Sequence, residues 1–218
     1  MPVPKTAVAK RDAEVTRKNI LEAATIEFSE KGFAGARVDL IASRSGANKN
    51  MLYHYFGNKE ALFTAVLENA YGGLRARQRA VKLGGLSPED ALHELGSATF
   101  DAFVEMPHLI RLLNSENLLN GVHAKQSDLI NEMYDPLFAA LSTVLEDGVK
   151  AGCFRPGIDP TNLYISMASL VYHYVSNHAT LEIIVKRDLM SDENLRARKA
   201  HVLEMILRFC TSKSSLAS

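Results

Sequence analysis

Apolar residues recur every three to four positions along most of this chain, the spacing of one face of an α-helix. Between residues 16 and 30, Ile20, Leu21, Ala24 and Phe28 share a face; Gly32 ends the helix and Phe33 packs just after it. Val38, Ile41 and Ala42 mark a second short helix over 38–45. Gly46 supplies the positive φ of a tight corner. Asn48 caps a third helix over 48–56, whose packing face is Leu52 and Phe56. Gly57 stops that helix and Asn58 caps the next. Three short helices with a glycine turn between the second and third form the pattern of a helix-turn-helix unit.

The rest of the chain is also helical by period. A long helix over about 59–83 carries the inward stripe Leu62, Phe63, Val66, Leu67, Ala70 and Leu74. Arg75, Arg77 and Arg79 stand near its end, where cations suit the helix dipole. Gly84-Gly85 breaks it, and Ser87-Pro88-Glu89-Asp90 starts another helix that runs to Met106 and Pro107. Residues 108–119 and 124–151 are helical, with Asp135-Pro136 either a kink or a fresh start. Helices over about 160–180 and 192–210 follow; Leu163, Met167, Leu170, Val171, Tyr174 and Val175 line the first, and Leu195, Val202, Met205, Ile206 and Phe209 the second. No β-hairpin signal stands out. The predicted class is all-α, with a flexible basic arm over 1–11, a helix-turn-helix domain over 12–58, a larger helical domain over 59–212 and a flexible tail over 213–218.

Composition changes the picture little until the chain is divided. Of 218 residues, 47% are hydrophobic and the net charge is zero. Residues 1–60 nonetheless hold ten Lys/Arg against seven Asp/Glu, net +3, and the remainder is net −3. That is the sign expected of an N-terminal nucleic-acid module on a neutral-to-acidic body. Cys153 and Cys210 lack metal-ligand spacing and read as buried free thiols of a reducing cytoplasm. No apolar run reaches membrane-spanning length and the N-terminus lacks a signal-peptide core, so a membrane partner is not expected.

The third helix is where chemistry concentrates. Lys49, Asn50 and Met51 begin it, where side chains can reach base edges: Lys to guanine, Asn to adenine, Met to a thymine methyl. Tyr53, His54 and Tyr55 can donate to phosphate oxygens. Lys59 adds a cation to the first turn of the next helix, a favourable phosphate position. The residues alone leave two readings open, a DNA reader or a helical hairpin with a solvated polar face.

Residues 16–63 resemble the DNA-binding domain of the TetR family of bacterial transcriptional regulators. The resemblance rests on Ala23-Ala24, Phe28, Gly32-Phe33, Val38, Ile41-Ala42, Gly46, Leu52-Tyr53, Tyr55-Phe56, Lys59 and Leu62, about a quarter of the chain. It implies Tyr53, Tyr55 and Lys59 as phosphate contacts, and Lys49, Asn50 and Met51 as base-side positions, with Asn48 and His54 beside them. Two departures stand out. Arg37 replaces the Thr that usually caps the second helix and binds phosphate, and Asn50-Met51 stands where Gly-Thr is common. Arg37 can hold a phosphate but cannot cap.

The resemblance also implies a ligand-binding and dimerisation domain after about residue 70, with the 59–83 helix transmitting change as a pendulum. The last two long helices are the expected homodimer surface, since Ser166, Ala168 and Ser169 permit close helix approach. A pocket between helices has as candidate linings Phe100, Phe103, Met106, Leu113, Asn117, Asn120, His123, Met133, Phe138, Tyr172, His173 and His178. Asn117, Asn120 and His123 are the expected polar anchors. No cofactor, metal site or catalytic constellation is expected. The expected function is a ligand-responsive repressor that binds a palindromic double-stranded operator as a dimer and is released by a small-molecule effector. The competing reading is a helical small-molecule carrier or enzyme whose N-terminal hairpin only resembles a DNA reader.

Overall fold

The computed structural model describes residues 5–212. Eleven α-helices account for most of the described residues: α1 (Lys5–Gly35), α2 (Val38–Ser45), α3 (Lys49–Phe56), α4 (Lys59–Arg79), α5 (Pro88–Glu105), α6 (Pro107–Leu118), α7 (Asp128–Glu132), α8 (Asp135–Lys150), α9 (Pro160–Ser176), α10 (His178–Val185) and α11 (Asp192–Cys210). The fold is all-α; β-pairing among the described residues is an isolated bridge between Phe154 and Thr211.

Helix α1 starts at Lys5, inside the stretch expected to be a flexible arm. Ala, Lys and Arg dominate that stretch and no Gly or Pro follows Lys5 until Gly32, so a helix formed further along propagates back at little cost. The first four residues of the arm and the tail from residue 213 lie outside the described residues. Gly32, at φ 66° and ψ 175°, breaks the helical path where the sequence placed the stop.

Other boundaries moved. Helix α4 ends at Arg79 rather than 83. Asp135-Pro136 is a fresh start, with Pro in the first turn of α8. The expected 160–180 helix is two helices, α9 and α10, separated at Asn177. Asn177 sits at φ −110° and ψ 10°, outside the helical well, and both its backbone N–H and its side-chain amide donate to the His173 carbonyl at 3.1 Å, closing the end of α9.

The chain forms two compact units, and their boundary is not the expected 58/59 junction. One unit comprises residues up to Tyr71 together with Arg111–Asn131; the other is Gly72–Ile110 and the chain from Glu132 onward. Helix α4 contributes to both. In the first unit Phe63 of α4 packs on Phe28 and Phe33, with ring centroids 4.9 and 5.2 Å away, which fixes the start of α4 to α1. The Glu116 carboxylate accepts from the backbone N–H groups of His123 (2.7 Å) and Ala124 (2.9 Å) and pairs with His123 Nδ1 (2.9 Å). The His123 ring lies 4.5 Å from Phe33 and 4.9 Å from Phe63. These contacts join residues 111–131 to the N-terminal helices, and only tertiary packing makes them.

In the second unit α5, α8, α9 and α11 share a core that includes Leu92, Leu95, Leu141, Leu145, Leu163, Met167, Ile206 and Cys210. Gly148 of α8 lets the Phe154 ring sit directly on the backbone, where a Cβ would overlap it. Met205 and Phe209, expected inward, are exposed at 44% and 52%, because the apolar stripe of α11 is wider than the neighbouring helices cover. Arg75, expected on the surface as a dipole partner, is buried at 1% exposure.

Candidate nucleic-acid interface

Helix α3 is held from behind and presents its front. Leu52 is fully buried and Phe56 nearly so, and the Arg17 guanidinium lies 5.1 Å over the Phe56 ring. Both ends are fastened by the residues the sequence pointed to. Gly46 takes φ 71° after α2. Asn48 Oδ1 accepts from Met51 N–H at 2.9 Å, and Asn58 Oδ1 accepts from Ala61 N–H at 2.7 Å at the start of α4. Asn48 therefore spends its carbonyl oxygen on the cap, leaving its amide N–H groups for a ligand.

The candidate contacts divide by exposure. Lys49, Asn50, Met51, Tyr53 and His54 are exposed, whereas Tyr55 is half-buried with its ring 5.6 Å from His54. Lys59 is half-buried too: its Nζ lies 5.1 Å from the Phe33 ring centroid and donates to the Ala34 carbonyl at 3.5 Å. That places the cation at the first turn of α4, next to the open N–H groups of a helix start.

Arg37 sits at the N-cap of α2 and makes no side-chain cap. Its backbone N–H donates instead to Glu27 Oε1 at 3.1 Å, from a carboxylate buried in α1 that also lies 3.6 Å from Arg44. The Arg37 side chain donates to Asp39 Oδ2 at 3.1 Å, and Lys49 lies 3.5 Å from Asp39 Oδ1. Asp39 thus holds the cation at the N-cap of α2 and the cation that opens α3 on one carboxylate. The Arg37 hydrogen bond, then its own backbone N–H, then the Lys49 charge hold Asp39 below the usual carboxylate range. Asp39 and Glu27 were not among the residues singled out from the sequence. An acid at the second position of a capless helix is the available signal for Asp39, while the reach of Glu27 across ten residues has no sequence signature.

The twelve residues proposed as pocket linings are divided between the two units. Met133 lines a cavity in the second unit with Arg75, Gln78, Leu83, Leu95 and Leu137. Phe100 and Phe103 are buried, and Tyr172 is half-buried with its ring 6.2 Å from Phe103. Met106, Leu113 and Phe138 are half-buried; the Phe138 ring packs 5.7 Å from Tyr164. The expected polar anchors belong elsewhere. Asn117 and Asn120 are exposed on the first unit, and His123 is its buried partner of Glu116. His178 Nδ1 is bonded to the Val175 carbonyl at 2.8 Å, and exposed His173 lines a surface groove with Ser166, Ser169, Met205 and Phe209. Arg75 and Gln78 were missed, although Arg75 follows Leu67 and Tyr71 by eight and four positions and so lies on the inward face. Among the described residues no cluster of His, Cys, Asp or Glu is placed to hold a metal, and no helix is long and apolar enough to cross a membrane.

A capped helix, exposed on its polar face and backed by two others, defines a helix-turn-helix DNA-binding protein. Comparison with known proteins narrows the class. The family description "Bacterial regulatory proteins, tetR family" matches residues 20–66, and "Tetracyclin repressor-like, C-terminal domain" matches residues 88–206. The chain belongs to the TetR family and is a DNA-binding transcriptional regulator. It is 37% identical to the HTH-type transcriptional repressor NicS of Pseudomonas putida over 90% of this chain and 92% of that one. It is 31% identical to the HTH-type transcriptional repressor SCO4008 of Streptomyces coelicolor over 75% of this chain and 80% of that one. Among solved structures, the putative transcriptional regulator SCO4942 of Streptomyces coelicolor superposes with a TM-score of 0.67 at 26% identity, covering 89% of this chain and 98% of that one. The two family matches set aside the carrier-or-enzyme reading, since both the hairpin and the helical body belong to regulators.

Proposed function

We propose that the chain is a homodimeric repressor whose two α3 helices enter successive major grooves of a palindromic operator, and that a small molecule in the second unit releases it. The exposed face of α3 carries this reading: Lys49, Asn50 and Met51 lead the helix toward base edges, while Tyr53, His54, Tyr55 and Lys59 lie where phosphates would run. Arg37 is a further phosphate contact once DNA competes with Asp39. Repression is favoured because NicS and SCO4008 both carry the name repressor. A regulator of this kind works where free thiols such as Cys153 and Cys210 persist, in a reducing cytoplasm.

The dimer surface is assigned to α9 and α11. Ile165, Met205 and Phe209 are exposed at 54%, 44% and 52%, and Met205 and Phe209 line the groove that contains Ser166 and Ser169. Large apolar side chains clustered on two adjacent helices call for a cover, and a second copy of the same face supplies one with two-fold symmetry. That symmetry places two recognition helices for half-sites ~34 Å apart.

Selection of bound duplexes from a random pool tests the reading directly. A palindromic consensus is expected, with affinity that falls linearly on a log–log plot against salt. A non-palindromic consensus, or salt-independent retention, would sink it.

A further inference from the structure

We propose that the cavity formed by the end of α4, α5 and the start of α8 takes a small monocarboxylate with an apolar body and one hydrogen-bond donor, and that this ligand is the effector. The inference rests on the regulator reading above and adds the chemistry of the site.

Arg75 carries the argument. It is 1% exposed and lines a cavity of about 240 Å³. Its Nη2 donates to the Tyr164 hydroxyl at 2.7 Å, and its guanidinium carbon lies 4.0 Å from the Tyr134 ring centroid and 5.3 Å from that of Tyr164. These aromatic faces hold the cation in place without neutralising it. Nε and Nη1 have no hydrogen-bond partner, and no Asp or Glu lines the cavity. A guanidinium cannot shed its proton, so burial leaves a full positive charge with unused donors. A buried charge of this kind is costly unless something pairs with it. The missing partner is an anion that accepts hydrogen bonds from a planar fork, which is the chemistry of a carboxylate.

Gln78 fixes the second requirement. It is 4% exposed, lines the same cavity, and donates from Nε2 to Thr99 Oγ1 at 2.9 Å. The Thr99 hydroxyl proton is already committed to the Leu95 carbonyl at 2.8 Å. Thr99 can therefore only accept from Gln78, which forces the amide to turn Oε1 away from it. That Oε1 is buried and without a partner. It asks the ligand for a donor, such as a hydroxyl or N–H. The remaining walls include Leu83, Leu95, Met133 and Leu137, which suit an apolar body. A volume of about 240 Å³ is below the roughly 300–1,000 Å³ of drug-sized sites, and it suits a ligand of about one ring.

The test uses the full-length protein and a fixed panel: benzoate, the three hydroxybenzoates, hexanoate, and the uncharged benzamide and phenol. Titration calorimetry and thermal shift are read on wild type, Arg75→Met and Gln78→Leu. At least one carboxylate is expected to bind and raise the melting midpoint of wild type, with benzamide and phenol inert. Arg75→Met should weaken that binding by about ten- to hundredfold, as for loss of hydrogen bonds to a charged group. It should also leave the ligand-free midpoint unchanged or higher, because an unpaired buried charge has been removed; a purely structural arginine would lower it. Gln78→Leu, which keeps the charge, should bind carboxylates but lose the preference for a hydroxybenzoate over benzoate. Equal binding of benzamide, or no carboxylate binding at all, overturns the proposal. A carboxylate held through Arg75 that leaves the complex with the selected duplex intact overturns the effector role. Failure of the protein to retain any duplex overturns the regulator reading instead.

Discussion

Asp39 is the residue on which the electrostatics of the DNA face turn. It pairs with Arg37 and Lys49 at 3.1 and 3.5 Å, so two cations of the proposed DNA face are shared with an internal carboxylate. Asp39→Asn is expected to tighten duplex binding severalfold and to steepen its salt dependence, since freed cations release more counterions. Unchanged affinity at low salt would show that Asp39 does not face the duplex. Lys49→Ala and Lys59→Ala act the other way. Lys59→Ala, at a phosphate position, should weaken all duplexes alike and flatten the salt slope by about one; Lys49→Ala should also relax sequence preference. Cys210 sets a different pH limit: burial pushes its thiol up to about 11. Its folded-state value lies above that of the unfolded chain, so its contribution is complete below the unfolded value and is lost as pH rises through about 11. Melting midpoints should therefore decline above about pH 9, less steeply in Cys210→Ala, as differential scanning calorimetry across pH 7–11 would register.

At the scale of elements, α3 is a two-turn helix that cannot stand alone, and its ends decide whether it presents its face. Asn48→Ala removes the acceptor for Met51 N–H and should cost about 1 kcal/mol, visible in urea unfolding. DNA affinity should fall with it, since the cap holds the start of α3 in place. In the second unit α8 depends on Gly148, where a Cβ would collide with the buried Phe154 ring. Gly148→Ala is expected to destabilise by about 1–3 kcal/mol through overpacking, despite the higher helix propensity of alanine. A stabilised Gly148→Ala protein in denaturant titration would mean that the Phe154 loop yields freely.

At the scale of the molecule, the exposed apolar residues of α9 and α11 are where the proposed dimer would close. Ile165→Glu places a charge on the α9 side of the proposed two-fold surface but at a solvent-exposed site of the monomer, so the helical fold should survive. Light scattering should report a monomer and circular dichroism an intact helix content. Affinity for a palindromic duplex should drop by at least about a hundredfold as the second contact is no longer intramolecular. A dimeric Ile165→Glu protein would move the interface elsewhere.

What the chain determines by itself is local. The helical period fixed the class, and Gly46, Asn48, Asn58, Ser87 and Ser191 ended or capped helices where their types predict, because caps and corners depend on residues three or four apart. The outward polar face of α3 was legible for the same reason. Tertiary structure decided everything that depends on which surfaces meet. It carried 111–131 to the N-terminal helices through Glu116 and His123, so a histidine that reads as a pocket anchor became a structural pair. It buried Arg75, which the sequence offered as a dipole partner at the helix end, and set Gln78 in the same cavity with a polar atom unspent. A helical face can be read from spacing, but the burial of a charge depends on neighbours up to 89 positions away, as the bond from Arg75 to Tyr164 shows.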